Sequence, residues 1–122
     1  MASELSKERA LLALPYLVQA AQRGTTVTYM ELADKVGCHH RALTHPLCYI
    51  RDDICPERGL PMLTAIVVSQ RTGLPCDGWL PEGTDPLTPE QNQARFEAEK
   101  QRAFACKRWD SLLKELGLPQ AG

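Results

Sequence analysis

Between Val27 and Ile50 the chain reads VTYMELADKVGCHHRALTHPLCYI, and its second half collects three histidines and two cysteines. With Cys55 just beyond, the residues Cys38, His39, His40, His45, Cys48 and Cys55 are all of types that ligate zinc. Structural zinc usually shows paired C-x₂₋₄-C or H-x₃₋₅-H spacing around a loop. His40 and His45 have the histidine spacing, but no C-x₂₋₄-C pair occurs anywhere in the chain. No metal or other cofactor is therefore expected, and surface histidines with partly buried thiols are the plainer reading. Nucleophilic chemistry finds little support either. Cys76 sits in LPCDGW beside Asp77, with no adjacent His or Lys to favour the thiolate. Cys106 has Lys107 and Arg108 as neighbours, yet helix periodicity makes its burial an equal alternative. No catalytic residue is expected.

What must position these residues is a series of short elements. Leu11, Leu14, Leu17, Val18 and Ala21 recur at helical spacing over residues 5–23, and Gly24 follows. Pro15 either kinks that helix or begins its main part. TTVTY (25–29) is β-branched and reads as extended. Thr28 and Glu31 form a capping box for a helix over 29–36, which Gly37 ends. In the next segment Leu43, Leu47, Ile50 and Ile54 are spaced 4, 3, 4, one apolar stripe on a helix over about 39–55. Pro46 lies inside the stripe and predicts a kink. Pro56 and Gly59 terminate it.

MLTAIVVS (62–69) reads as a strand, QRTG as a turn, and LPCDGWL as a weaker strand confined to an edge by Pro75. Together they predict a β-hairpin over about 62–80. Thr88, Pro89 and Gln91 start a helix that runs to about Phe104, and Asp110 is read as the cap of a last short helix ending at Gly117. The expected fold is mainly α with a small β-hairpin. Its order is that of a winged helix-turn-helix over residues 1–83, with a helical C-terminal extension, 84–122, packed on the same domain.

Composition bounds the function. The chain has 122 residues, room for one domain, and its 43% hydrophobic and 24% charged content is that of a soluble globular protein. No apolar run approaches the ~20 residues of a membrane span. The N-terminal stretch lacks a basic start and a small-residue cleavage site, so a cytoplasmic, reduced protein is expected. A net charge of −1, with neither a basic block nor an acidic tail, counts against a strongly basic nucleic-acid binder. Any contact with DNA must come from a local patch.

Two segments carry a family resemblance. TTVTYMELADKVG followed by HHRALTHPL resembles the DNA-binding half of O6-alkylguanine-DNA alkyltransferases. Members have V-x-S/T-Y-x-x-L-A, a glycine, and an A-R-A-V-G-x-A-L helix. Tyr29, Leu32 and Ala33 match the first part. Arg41 and Ala42 match the start of the second, with Leu43 in the valine position. IVVSQRTGLPCDGW looks like the family's R-V-V-x-x-x-G-x-x-G-G-Y hairpin. The likeness covers about residues 25–80 and implies a winged-helix scaffold. It departs where the chemistry lies. The family's P-C-H-R nucleophile motif is replaced by Pro61-Met62-Leu63-Thr64, and the gap between Gly37 and Arg41 is shorter than in the family. In that family the tyrosine and the helix arginine help rotate a damaged base out of the duplex. At Tyr29 and Arg41, without a reactive thiolate, the resemblance implies a grip on DNA and no reaction.

The stripe itself points the same way. With Leu43, Leu47, Ile50 and Ile54 turned inward, the outer face of the helix holds Arg41, His45 and Cys48, with His40, Thr44 and Arg51 at its edges. A helix-turn-helix offers that face to the major groove. Arg pairs with guanine at two points, and Thr or His reaches bases or phosphates. Gln70 and Arg71 sit at the hairpin tip, where a wing meets the DNA backbone, and Tyr29 is a candidate phosphate contact. Asp52 and Asp53, at the far end of the helix, oppose such binding. The leading expectation is non-catalytic binding of double-stranded DNA through Tyr29, His40, Arg41, Thr44, His45, Arg51, Gln70 and Arg71. The alternative is a winged-helix protein-interaction module, a small inhibitor or adaptor. In the tail, Phe96, Phe104, Trp109, Leu112, Leu113 and Leu116 either pack on the first helix or form a homodimer contact. Trp79 is read as a core residue.

Overall fold

The structure, a computed structural model, describes residues 3–75, 79–80 and 83–119. It is mainly helical with one small two-stranded sheet. Helix α1 spans Glu4–Arg23, its start capped by Ser3 Oγ accepting from the Ser6 N–H and its end by Gly24 in the left-handed region. Pro15 lies inside it and is buried, so it neither begins nor ends the helix. Leu14, Leu17, Val18 and Ala21 point into the core.

Strand β1 is only Val27–Thr28. The capping box then forms as the sequence predicts, with Thr28 Oγ1 accepting from the Glu31 N–H and Glu31 Oε1 accepting from the Thr28 N–H, and α2 runs Tyr29–Val36 to Gly37.

The striped segment is one continuous coil of changing pitch. A 3-10 turn over His40–Leu43 leads into α3, Thr44–Tyr49; a π turn follows over Ile50–Ile54, and α4 closes the run at Cys55–Glu57. The apolar stripe is buried as the spacing requires, Leu43, Leu47, Ile50 and Ile54 all belonging to the core. Pro46 is accommodated in the first turn of α3, where a backbone N–H is not needed within the helix. The irregularity therefore flanks the proline: a tighter turn before it and a wider one after it.

The first limb of the expected hairpin is corrected. Leu63–Ile66 wind into a 3-10 turn, and β2 is only Val67–Val68. Among the described residues it pairs in parallel with β1, Val27 opposite Val67 and Thr28 opposite Val68. Leu63, Ala65, Ile66 and Val67 are fully buried. The apolar run that reads as one limb of a hairpin is thus a core segment packed against α1 and against the later helix Pro89–Ala105. Ser69 to Leu74 form a closed turn, the Ser69 N–H donating to the Leu74 carbonyl at 2.8 Å. Leu74, Pro75, Trp79 and Leu80 are not strand, and residues 76–78 of that limb, with Cys76 and Asp77, lie outside the described residues.

Helix α5, Pro89–Ala105, opens on a second capping box, Thr88 with Gln91, and α6 is Trp109–Leu116, ended by Gly117. Asp110 is not its cap. Arg108 holds that position without a side-chain bond, and Asp110 Oδ1 instead accepts from Gln22 Nε2 of α1 at 2.9 Å. Phe96, Trp109, Leu112 and Leu113 are buried, and Trp109 Nε1 donates to the Ala103 carbonyl at 2.8 Å. Most of the apolar side chains that could form a dimer contact are thus used within this chain. Arg58, between the Ile54 carbonyl and Glu115, ties the end of the kinked coil to α6. No helix among the described residues is long and apolar enough to cross a membrane.

A candidate binding cleft between the kinked helix and the 69–74 turn

Three separate chain segments place the polar residues of interest. Tyr29 is the first residue of α2, set by the Thr28 cap. Arg41 lies in the 3-10 turn, whose start is closed by His39 Nδ1 accepting from the Arg41 N–H at 3.2 Å. That bond gives His39 a structural task. Its ring lies 4.3 Å from that of His40. Thr44 opens α3 and donates from Oγ1 to the Arg41 carbonyl. Gln70 and Arg71 ride on the Ser69–Leu74 turn, stiffened by the Arg71 N–H donating to Ser69 Oγ and by Thr72 Oγ1 bridging to Leu74.

These segments enclose a cleft of about 510 Å³, within the size range of small-ligand sites. Seven of the eight residues expected from sequence line it: Tyr29, His40, Arg41, Thr44, Arg51, Gln70 and Arg71. His45 does not; it is exposed on α3 away from the cleft. Arg41 and Arg71 are exposed and form no ion pair with another described residue. They are the two cations that the cleft offers to an anion.

Arg51 is a correction. It was expected at the edge of the outer face, but it is buried. Its Nε and Nη2 donate to the two carboxylate oxygens of Asp52 at 2.7 and 2.8 Å, and Nη1 donates to the Leu80 carbonyl at 3.1 Å. Arg51 stands four residues after Leu47, beside the stripe, and Leu80 from a distant segment covers that edge. The guanidinium holds the Asp52 carboxyl below the usual carboxylate range, burial opposing it only in part. The cleft therefore has one charge-neutral wall, and Asp52, read as opposing an anion, is already engaged.

Sequence reasoning missed the apolar half of the cleft. Met30, Leu47, Cys48 and Trp79 contribute to its lining. Trp79, read as core, is only half-buried and stands on the cleft wall. Thr64 is buried against the cleft, and its Oγ1 has no hydrogen-bond partner among the described residues. No sequence signal marks Thr64, because it is the middle of an apolar run.

Elsewhere, Cys55 is buried in the core, and that burial raises its thiol pKa, opposed by a backbone hydrogen bond at Leu63 and the charge of Arg58. Among the described residues no three His, Cys, Asp or Glu side chains converge as a metal site would require. Comparison of the chain with protein-family models, with characterised proteins and with solved structures finds no match.

Proposed function

We propose that this protein is a winged helix-turn-helix that binds double-stranded DNA without catalysis, the 40–57 coil acting as recognition helix and the 69–74 turn as a reduced wing. The observation that carries the reading is the convergence of Tyr29, Arg41, Thr44, Gln70 and Arg71, from three segments, on one cleft. In the alkyltransferase resemblance Tyr29 and Arg41 occupy DNA-contacting places, and here they share that cleft. Met62 stands where that family carries its nucleophile, and a thioether cannot serve as a thiolate. Arg41 and Arg71 supply phosphate or guanine contacts, Thr44 and Gln70 adaptable hydrogen bonds. His40 lies on the cleft, and His45 is not among its lining residues.

Two cations predict modest affinity with a shallow salt dependence, since each phosphate neutralised adds just under one to the logarithmic slope. Electrophoretic mobility shift on random duplex DNA across a salt series tests this. A shift at low salt that fades as salt rises is expected, and Arg41→Ala should weaken it while leaving the melting temperature nearly unchanged. No shift at the lowest salt overturns the reading. It would favour the second one, a protein-interaction module, which rests on Met30, 56% exposed at the mouth of an otherwise largely apolar cleft.

A further inference from the structure

Trp79 and Leu80 belong to no helix or strand, so Trp79 is held at the cleft wall by what its side chain touches. Its indole Nε1 donates to Asn92 Oδ1 of α5 at 2.9 Å. Its ring meets Phe96 of the same helix edge-to-face, centroids 6.5 Å apart at 86°. Phe96 is buried, and Lys100 sits over its other surroundings with Nζ 4.9 Å from the ring centroid. The next residue is held from the opposite side, where the Leu80 carbonyl accepts from Arg51 of the π turn. Residues 79 and 80 are thus clasped between α5 and the kinked coil.

We infer that the C-terminal extension is a working part of the cleft and that Asn92 is its positioning residue, fixing Trp79 as one wall. The reason lies in α5 itself. The Thr88 capping box sets the first turn of the helix, and the Asn92 N–H donates back to the Thr88 carbonyl, so the Asn92 side chain leaves a rigid turn at a fixed place. The indole N–H needs an acceptor when half-buried, and Asn92 is the one that orients its plane. An aromatic wall set in this way offers a planar group entering the cleft a stacking surface in the same cleft as the two arginines. The extension, read from sequence as either core completion or a dimer arm, thereby acquires a third task. This inference rests on the DNA-binding reading for its functional consequence, but its structural half does not.

Asn92→Leu, Asn92→Asp and Trp79→Phe in the full chain test it. The chain has two tryptophans, and Trp109 is 1% exposed, so acrylamide-accessible fluorescence reports on Trp79. Asn92→Leu should raise that accessibility and weaken binding to duplex DNA about five- to tenfold. The salt slope should stay that of the wild type, because the phosphate contacts are untouched. Asn92→Asp keeps the acceptor and should restore both readouts. Trp79→Phe, which removes the donor without touching α5, should weaken DNA binding as Asn92→Leu does. Unchanged quenching in Asn92→Leu would overturn the positioning role. Changed quenching with wild-type DNA affinity would overturn the role of the wall in binding. If the wild type itself binds no DNA, the DNA-binding reading fails and the quenching arm still decides whether Asn92 positions Trp79.

Discussion

Arg51 and Asp52, adjacent in sequence, form a two-point ion pair in which the arginine side chain is 7% exposed and the aspartate 45%. Removing either partner is not equivalent. Asp52→Ala leaves a buried guanidinium without its carboxylate, and loss of hydrogen bonds to a charged group costs about 2 kcal/mol. Arg51→Met leaves a carboxylate that water can solvate and takes one donor from the Leu80 carbonyl, but it buries no charge, so it should cost less. Urea denaturation of the two variants checks the order, and Arg51→Met being the less stable would contradict it.

The same pair sets an acid dependence. Asp52 is held below its ordinary value of 3.8 by the Arg51 hydrogen bonds. A carboxyl depressed in the folded state contributes stability above its unfolded value and loses it as pH falls through the folded one. Asp52→Asn should therefore show a smaller loss of stability on acidification below about pH 4 than the wild type. The effect is small, since the aspartate is half exposed and screened. Melting curves at pH 3 to 6 read it directly.

Cys55 gives the opposite sign. Burial raises its pKa above the ordinary 9.0, so the folded protein keeps a proton that the unfolded chain gives up. Its contribution is intact below pH 9 and is lost as pH rises through the folded value. At neutral pH Cys55 should resist iodoacetamide until the protein unfolds, while the half-buried Cys38, Cys48 and Cys106 react in the native state. Mass spectrometry of the labelled peptides distinguishes them. Labelling of Cys55 at the rate of Cys48 would place it at the surface.

The contrast between Leu47 and Arg51 explains what was legible in the sequence. Caps and stripes are local: Thr28 with Glu31, Thr88 with Gln91, and the 4, 3, 4 leucine and isoleucine spacing announce helices by bonds made within a few residues. Arg41 and Thr44 follow from the stripe, Gln70 and Arg71 from the tip of the expected hairpin, and Tyr29 from the family resemblance. Arg51 escaped because the Leu80 carbonyl that covers it comes from 29 residues away, and residue spacing alone leaves it at the edge of the stripe. The winding of 62–66 escaped because MLTAIVVS has the composition of a strand, and only its packing against α1 and α5 takes it through the core. Trp79 escaped because Asn92 and Phe96, which hold it, come from an extension read separately.

Thr64 bears on stability in a way that reverses the usual expectation for a core substitution. Its hydroxyl is buried with no partner among the described residues, and a buried polar group left unpaired costs about 1–3 kcal/mol. Thr64→Val keeps the shape and removes the hydroxyl, so it should raise stability by about 1 kcal/mol. A loss of stability on denaturant titration would mean that the hydroxyl is satisfied in solution.

The charge placement predicts how binding divides. Arg41 on the helix side and Arg71 on the turn side flank the cleft and share no partner, so their contributions should be close to additive. Each Arg→Ala should lower the salt slope of duplex binding by about one, and the double variant by about two. His45→Ala, away from the cleft, should change affinity least. If Arg41 reads guanine at two points, Arg41→Lys should lose sequence preference while keeping the slope, because a lysine supplies the charge without the fork. Arg71→Lys should be nearly silent, since a phosphate contact at a turn tip needs charge more than geometry. Equal sequence discrimination by wild type and Arg41→Lys would assign Arg41 to the phosphates and leave base readout to Thr44 and Gln70.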